Sequence, residues 1–308
     1  MKQKKNKWIT TRREFLKTTG GVLIALSTGT LLAQEINTKN KKLISFGMLT
    51  DPHSADVASK GSRYYKESVS KMTECVEFMN DKKVDFLIEL GDLKDMDDAE
   101  SPESALRYLN DIESIFNKFN GPTYHVVGNH DVDCISKNQF LNRIENTGIA
   151  TDASYYSFDS KSLHFIVLDA NYKTDGSDFN SGDFVWTDVN IPKKEIDWLK
   201  KDLASTSKPV IVFVHELLDG KGDLYVNNAK EVRHLLQKHQ NVLAVFQGHH
   251  HAGDFKQIHD IYYYTLKAMV EGTGSSNSAY AIVDIYDDYS ITITGYRKAE
   301  DKSLSHLK

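Results

Sequence analysis

The chain has 308 residues, 40% of them hydrophobic and 26% charged. Those proportions argue against wholesale disorder and leave room for one large α/β domain or two small ones. Residues 1–33 hold seven Lys and Arg against one acid, so the rest carries 31 basic and 42 acidic residues, a net of −11. So acidic a surface argues against polymeric nucleic acid as a partner.

At the N-terminus a basic front leads into Thr11-Arg12-Arg13-Glu14-Phe15-Leu16-Lys17 and then the weakly apolar stretch Gly20–Ala33. Fourteen residues are too few to span a bilayer comfortably, and the order basic, apolar, small fits a secretory signal. The paired arginines followed by Phe-Leu-Lys resemble the bacterial twin-arginine export signal. An amphipathic helix is the structural alternative. Cleavage after Ala33 would place Leu31 at a position that prefers a small residue, so an uncleaved anchor stays open. The expectation is a signal and linker over 1–40 and a single domain over 41–308. The chain would be exported through the twin-arginine machinery to the periplasm or the exterior, touching membrane only through the signal.

Past the signal, strand-like and helix-like segments alternate. "KLISFGMLT" (42–50) reads as a strand ending at Asp51, and 63–80 has apolar residues near helical spacing. "VDFLIEL" (84–90) is a second strand, 102–119 a helix opened by proline, and "PTYHVVGNHD" (122–131) a third strand running into polar residues. Residues 154–171 suggest two strands joined by a turn at 159–161. The polar stretch 171–190 is longer than an ordinary connection and, with 216–228, is expected to face substrate. A helix follows at 192–203. "KPVIVFVHE", "NVLAVFQGHHH", "IYYYTLKAM" and "AYAIVDIYDDYSITITGY" read as further strands. Two packed sheets with helices outside are the expected architecture. Cys75 and Cys134 could pair in an oxidising compartment, although Cys75 suits a small core position.

The chemistry lies at the strand ends. These carry Asp51 and His53, then Asp92, then Asn129-His130-Asp131, then His215, and finally His249, His250 and His251. Loops beyond the carboxyl ends of strands in an open α/β sheet converge on one crevice. Asp51 with His53, and His249 with His251, are spaced i, i+2, which on extended backbone faces both members the same way and turns His250 aside. Carboxylate, amide oxygen and imidazole together suit borderline divalent ions, Mn²⁺ foremost with Fe²⁺ or Zn²⁺ as alternatives. The seven side chains Asp51, His53, Asp92, Asn129, His215, His249 and His251 exceed the needs of one ion and imply two, with one carboxylate shared and hydroxide as the attacking group. Taken singly, each element has an ordinary structural explanation, whether turn, cap or core histidine. Five in chain order at five strand ends make coincidence a poor account.

The set Asp51-x-His53, Gly91-Asp92-x-x-Asp95, Gly128-Asn129-His130-Asp131, His215 and Gly248-His249-x-His251 resembles the calcineurin-like metallophosphoesterases over about residues 43–297. That resemblance implies a four-layer α/β/β/α sandwich of two mixed sheets. It implies one metal on Asp51, His53, Asp92 and His251, and the other on Asp92, Asn129, His215 and His249. His130 would contact the phosphate and protonate the leaving oxygen, oriented by Asp131. Two departures stand out: no proline follows two residues after His215, and Asp95 stands where the iron-binding tyrosine of purple acid phosphatases would be. A narrower resemblance, carried by Arg63-Tyr64-Tyr65-Lys66, Tyr155-Tyr156-Ser157-Phe158 and His239-Gln240-Asn241, is to the manganese-dependent ADP-ribose/CDP-alcohol diphosphatase branch. That branch often has glutamine at the place of His53. Arg63 and Tyr64 become candidate substrate contacts, against the alternative that the tyrosines begin a buried helix. The reading is an exported two-metal hydrolase of a small phosphomonoester, phosphodiester or nucleotide diphosphate. A non-catalytic metal-dependent scaffold is the alternative, and a nuclease is disfavoured by charge.

Overall fold

Side-chain alternation along β1 (Lys42–Leu49) sets the layering, sending Ile44, Phe46 and Met48 to one face and Leu49 to the other. The computed structural model describes residues 40–179, 183 and 185–305, so the expected export signal lies outside the described residues. The first sheet has the order β12-β11-β10-β1-β2-β3. It is built from β2 (Phe86–Glu89), β3 (Thr123–His125), β10 (Ala279–Tyr286), β11 (Ile291–Arg297) and β12 (Lys302–Leu304) around β1. Strands β1, β2 and β3 run parallel, and β10 joins β1 antiparallel.

The second sheet has the order β4-β5-β6-β7-β9-β8. Its parallel centre comprises β5 (Leu163–Val167), β6 (Val210–Val214), β7 (Val242–Gln247) and β9 (Ile261–Thr265). Antiparallel edges are supplied by β4 (Tyr156–Ser160) and β8 (Asp254–Ile258).

Between the sheets lies an aromatic layer. Phe46 stacks on Phe86 with ring centroids 4.8 Å apart and meets Phe165, Phe213 and Phe246 edge-on. Each such ring, fully buried, contributes about 1.5–3 kcal/mol over exposure. Helices α1 (Ser68–Lys82) and α2 (Pro102–Phe116) contribute to the core on the outer face of the first sheet, with short α3 (Lys137–Leu141). Helices α4 (Lys193–Ser205) and α5 (Ala229–Gln237) cover the second. The layers are therefore α/β/β/α, as the resemblance implied. Ser101 caps α2 by accepting from Ser104 N–H, with Pro102 in the first turn.

Some local expectations shift. The helix expected from residue 63 begins at Ser68, because Arg63 and Tyr64 make backbone bridges to Glu271 and Val270 instead. Strands β8 and β12 and helix α5 were not foreseen; β8 has no fully buried face to mark it. Cys75 and Cys134 are both free and buried in the core against the first sheet, so they do not pair. Among the described residues, no helix is long and apolar enough to cross a membrane.

Candidate metal centre

Parallel strands in both sheets bring the ends of β1, β2, β3, β6 and β7 to one edge of the sandwich. The loops there continue the strand pairing. Asp51 N–H donates to Gly91 O at 3.0 Å, His53 N–H to Asp92 O at 2.9 Å, and Ser54 N–H to Leu93 O at 3.1 Å. The i, i+2 spacing works for a different reason than extended backbone. Asp51, His53, Asp92 and His249 all have positive φ, between 45° and 65°. Left-handed backbone at a residue with a side chain costs on the order of 1–3 kcal/mol and persists only where the surroundings over-determine it. Two glycines explain how the loops close so tightly. A Cβ at Gly128 would overlap Asp92 N and Oδ1, and one at Gly248 would overlap Thr50 Oγ1 and lie 3.0 Å from Asp51 Oδ2 and His215 Nδ1.

Among the described residues four groups of ligand atoms converge: Asp51 with His53 and His251, Asp92 with His215 and His249, and two that include His130, one with His53 and Asp92 and one with Asp95 and Asp133. The first two, made only of the expected metal ligands, are the ligand groups of the site. Asp51 Oδ2 accepts from Thr50 Oγ1 at 2.6 Å and His249 N–H at 3.1 Å, which leaves Oδ1 facing His251 Nε2 at 3.3 Å. Asp92 Oδ1 accepts His130 N–H at 2.7 Å, while Oδ2 lies 3.1 Å from His215 Nε2 and 3.5 Å from His53 Nε2. Asp92 thus reaches both groups.

The imidazoles are aimed from behind. Asp95 Oδ2 lies 3.0 Å from His53 Nδ1, Leu90 O 2.7 Å from His215 Nδ1, and Glu271 Oε1 2.6 Å from His251 Nδ1. Outer partners of this kind fix the tautomer that presents Nε2 inward. His249 is different, turning Nδ1 toward His215 Nε2 at 3.3 Å. Burial and the His215 charge push its pKa down to about 3, so it is neutral imidazole, the ligating form.

The residues fit divalent cations. Asp51 Oδ1, Asn129 Oδ1 and His249 Nε2 are buried without a hydrogen-bond partner. His53 Nε2 and His251 Nε2 face each other at 3.1 Å, two like nitrogens that a shared cation would reconcile. Orphaned acceptors buried at such a cluster are costly unless something positive satisfies them.

His130 stands beside the groups, its ring 4.8 Å from that of His53. Its Nδ1 lies 3.3 Å from Asp133 Oδ2 and 3.5 Å from Asp95 Oδ1. Burial opposes its charged form, yet Asp92, Asp133 and Asp95 together raise its pKa well above the usual histidine range. Asp131 does not orient it. The Asp131 carboxylate is taken by four backbone N–H groups, those of Gly128 and Asp92 on Oδ2 and of Leu93 and Lys94 on Oδ1. It ties the β2 and β3 loops together, and Asp133, itself paired with buried Lys94, is the nearer partner of His130.

Asp51 and Glu271 raise the His251 pKa to about 9 against burial, and His251 holds that of Glu271 down at about 2. The Arg63 charge is near enough to make a small contribution to each, opposing the first and adding to the second. Tyr64 is partly exposed, whereas Tyr65 is buried with Ala55, Tyr108, Ala268 and Val270. His250 joins neither ligand group. Three participants were given no role from the sequence: Asp95, which stood in the motif set, and Asp133 and Glu271, which did not. Asp95 and Asp133 had a local signal, carboxylates three residues from Asp92 and His130. Glu271 had none, because Lys71 Nζ and the end of β9 place its loop, donating to Met269 O at 2.9 Å and Glu271 O at 3.2 Å.

A family model for calcineurin-like phosphoesterases matches residues 44–253. The chain belongs to that family. The manganese-dependent ADP-ribose/CDP-alcohol diphosphatase of Oryza sativa subsp. japonica is 25% identical over 326 residues, covering 92% of this chain and 99% of that one. The enzyme of the same name from Arabidopsis thaliana is 25% identical over 290 residues, covering 80% and 92%. A dimetal phosphatase structure from Danio rerio matches with a TM-score of 0.74 at 20% identity, covering 87% of this chain and 100% of that one, which is a likeness of fold. This phosphoesterase is a metal-dependent phosphoric ester hydrolase, and the non-catalytic alternative falls away.

Proposed function

We propose that this phosphoesterase is an exported hydrolase of small phosphorylated molecules, nucleotide diphosphates foremost, that works with two divalent ions, Mn²⁺ before Fe²⁺ or Zn²⁺. The observation that carries the reading is the pair of facing ligand groups that Asp92 reaches from between, with a charged His130 beside them. The relatives named for manganese and for ADP-ribose and CDP-alcohols support the choice of metal and substrate class. Export rests on the twin-arginine segment.

Asp51, His53, Asp92 and His251 would hold one ion, and Asp92, Asn129, His215 and His249 the other. Such ions, when bound, neutralise phosphoryl oxygens and lower the pKa of water. The chain's own part is to position and to protonate. His130, kept charged by Asp92, Asp133 and Asp95, donates its proton to the departing oxygen and recovers one from solvent. Asp133 and Asp95 hold the ring at Nδ1, 3.3 Å and 3.5 Å away. Arg63, on the His251 side, attracts a second anionic group of the substrate, and Tyr64 borders that approach.

The test uses protein stripped of metal and reconstituted with Mn²⁺. Initial rates are compared on nitrophenyl phosphate, its bis-ester and ADP-ribose, with Asp92→Ala and His130→Ala as controls. Metal-dependent turnover fastest on ADP-ribose and lost in both variants is expected. Absence of turnover on all three substrates with two ions bound would refute the reading. For export, Arg12→Lys with Arg13→Lys is expected to retain the chain in the cytoplasm on cell fractionation.

A further inference from the structure

Among the described residues, three large hydrophobic side chains stand exposed: Val69 at 39%, Val185 at 53% and Trp186 at 42%. Two of the three are consecutive in the polar connection 171–190, and they are not scattered on the surface. The Trp186 ring centroid lies 6.1 Å from that of His249, with the planes at 47°. An indole left in water beside a phosphate-handling centre wastes its apolar area unless a ligand covers it, and adjacent exposed apolar side chains commonly mark such a surface.

We infer that Trp186 is a stacking surface for the base of a nucleotide substrate, holding the base on the His249 side of the centre while the phosphates lie over the ligand groups. This deepens the function proposed above and rests on it. Stacking accepts purine and pyrimidine alike, because every base has a π-face. It admits an aromatic nucleoside and gives nothing to a sugar phosphate without a base. Since the base does not change during phosphoryl transfer, the contact is as strong in the ground state as in the transition state. It therefore lowers KM and leaves kcat unaltered.

The experiment compares full-length wild type, Trp186→Ala and Trp186→Phe, each loaded with Mn²⁺. The substrates are ADP-ribose and its base-free counterpart, in which ribose replaces adenosine. Trp186→Ala is expected to raise KM for ADP-ribose by about tenfold, a typical worth of one base–aromatic stack, with kcat within about twofold. KM for the base-free compound stays within about twofold, and Trp186→Phe recovers most of the loss. An equal loss on both substrates, or on neither, overturns the proposal, since a residue that only shapes the loop would act on both. If no phosphoester is turned over, the proposed function itself has failed, and binding decides the stacking surface. Saturable quenching of tryptophan fluorescence by AMP that disappears in Trp186→Phe then supports it. Absent or unchanged quenching overturns it.

Discussion

Asp131 is where the structure departs most sharply from the family resemblance, and Asp131→Asn separates the two accounts. In the native loops four buried backbone N–H groups point at its two oxygens, three of them at 2.9 Å and the fourth at 3.3 Å. Asparagine keeps one acceptor, so whichever way its amide turns, two N–H groups face an NH₂. A hydrogen bond to a charged acceptor contributes about 1.5–3 kcal/mol, which makes the loss of two worth ~3–6 kcal/mol. For a domain of this size that lowers Tm by roughly 6–20 °C. The assay is thermal unfolding followed by circular dichroism, with and without Mn²⁺, beside kcat across pH. Asp133→Asn is the comparison, since it touches His130 Nδ1 and should move the pH limb that His130 controls. The reasoning is refuted if Asp131→Asn unfolds within about 2 °C of wild type while its pH limb shifts as it does in Asp133→Asn.

Asp92→Asn weakens the one side chain that reaches both ligand groups, so it is expected to abolish turnover and to remove the rise in Tm on adding Mn²⁺. That rise in the wild type corresponds to about 4 kcal/mol when free metal is a thousandfold above its Kd. Calorimetric titration of metal into the variant checks the lost stoichiometry directly. Gly128→Ala drives a Cβ into Asp92 and is expected to cost more than ~3 kcal/mol, with soluble yield and Tm as the readouts. A Gly128→Ala protein as stable as wild type would show that the β2 and β3 loops are not in close contact. His164 reports a separate pH effect: it lies 2.7 Å from Asp159 and 2.8 Å from Asp202, and despite burial these carboxylates raise its pKa. A raised histidine stabilises the fold fully below the unfolded value near 6.5 and loses that contribution as pH climbs through the folded value. The Tm deficit of His164→Gln should therefore be largest near pH 6 and shrink toward pH 9, and a deficit independent of pH would contradict the ion pairs.

The sequence by itself determined the strands and what they end in. Ile44, Phe46 and Met48 alternate with residues of the other face, and that period of two is a local property of extended backbone, legible without a fold. Asp51, His53, Asp92, Asn129, His215, His249 and His251 follow from the same logic, because parallel strands must deliver their ends to one edge. Tertiary structure decided everything that depends on how separate loops approach one another. The positive φ of Asp51, His53, Asp92 and His249 occurs where loops distant in sequence close on one another, with Gly128 against Asp92 and Gly248 against Asp51. Asp131 lies next to His130 in the chain, yet its oxygens are claimed by the β2 loop, and His130 turns to Asp133 and Asp95. Glu271 and Trp186 lie beside the centre from segments with no motif of their own, Glu271 in a loop held by Lys71 and Trp186 with its ring 6.1 Å from that of His249. Hydrogen-bond partners are chosen by distance and angle in the folded chain, and adjacency in sequence supplies neither.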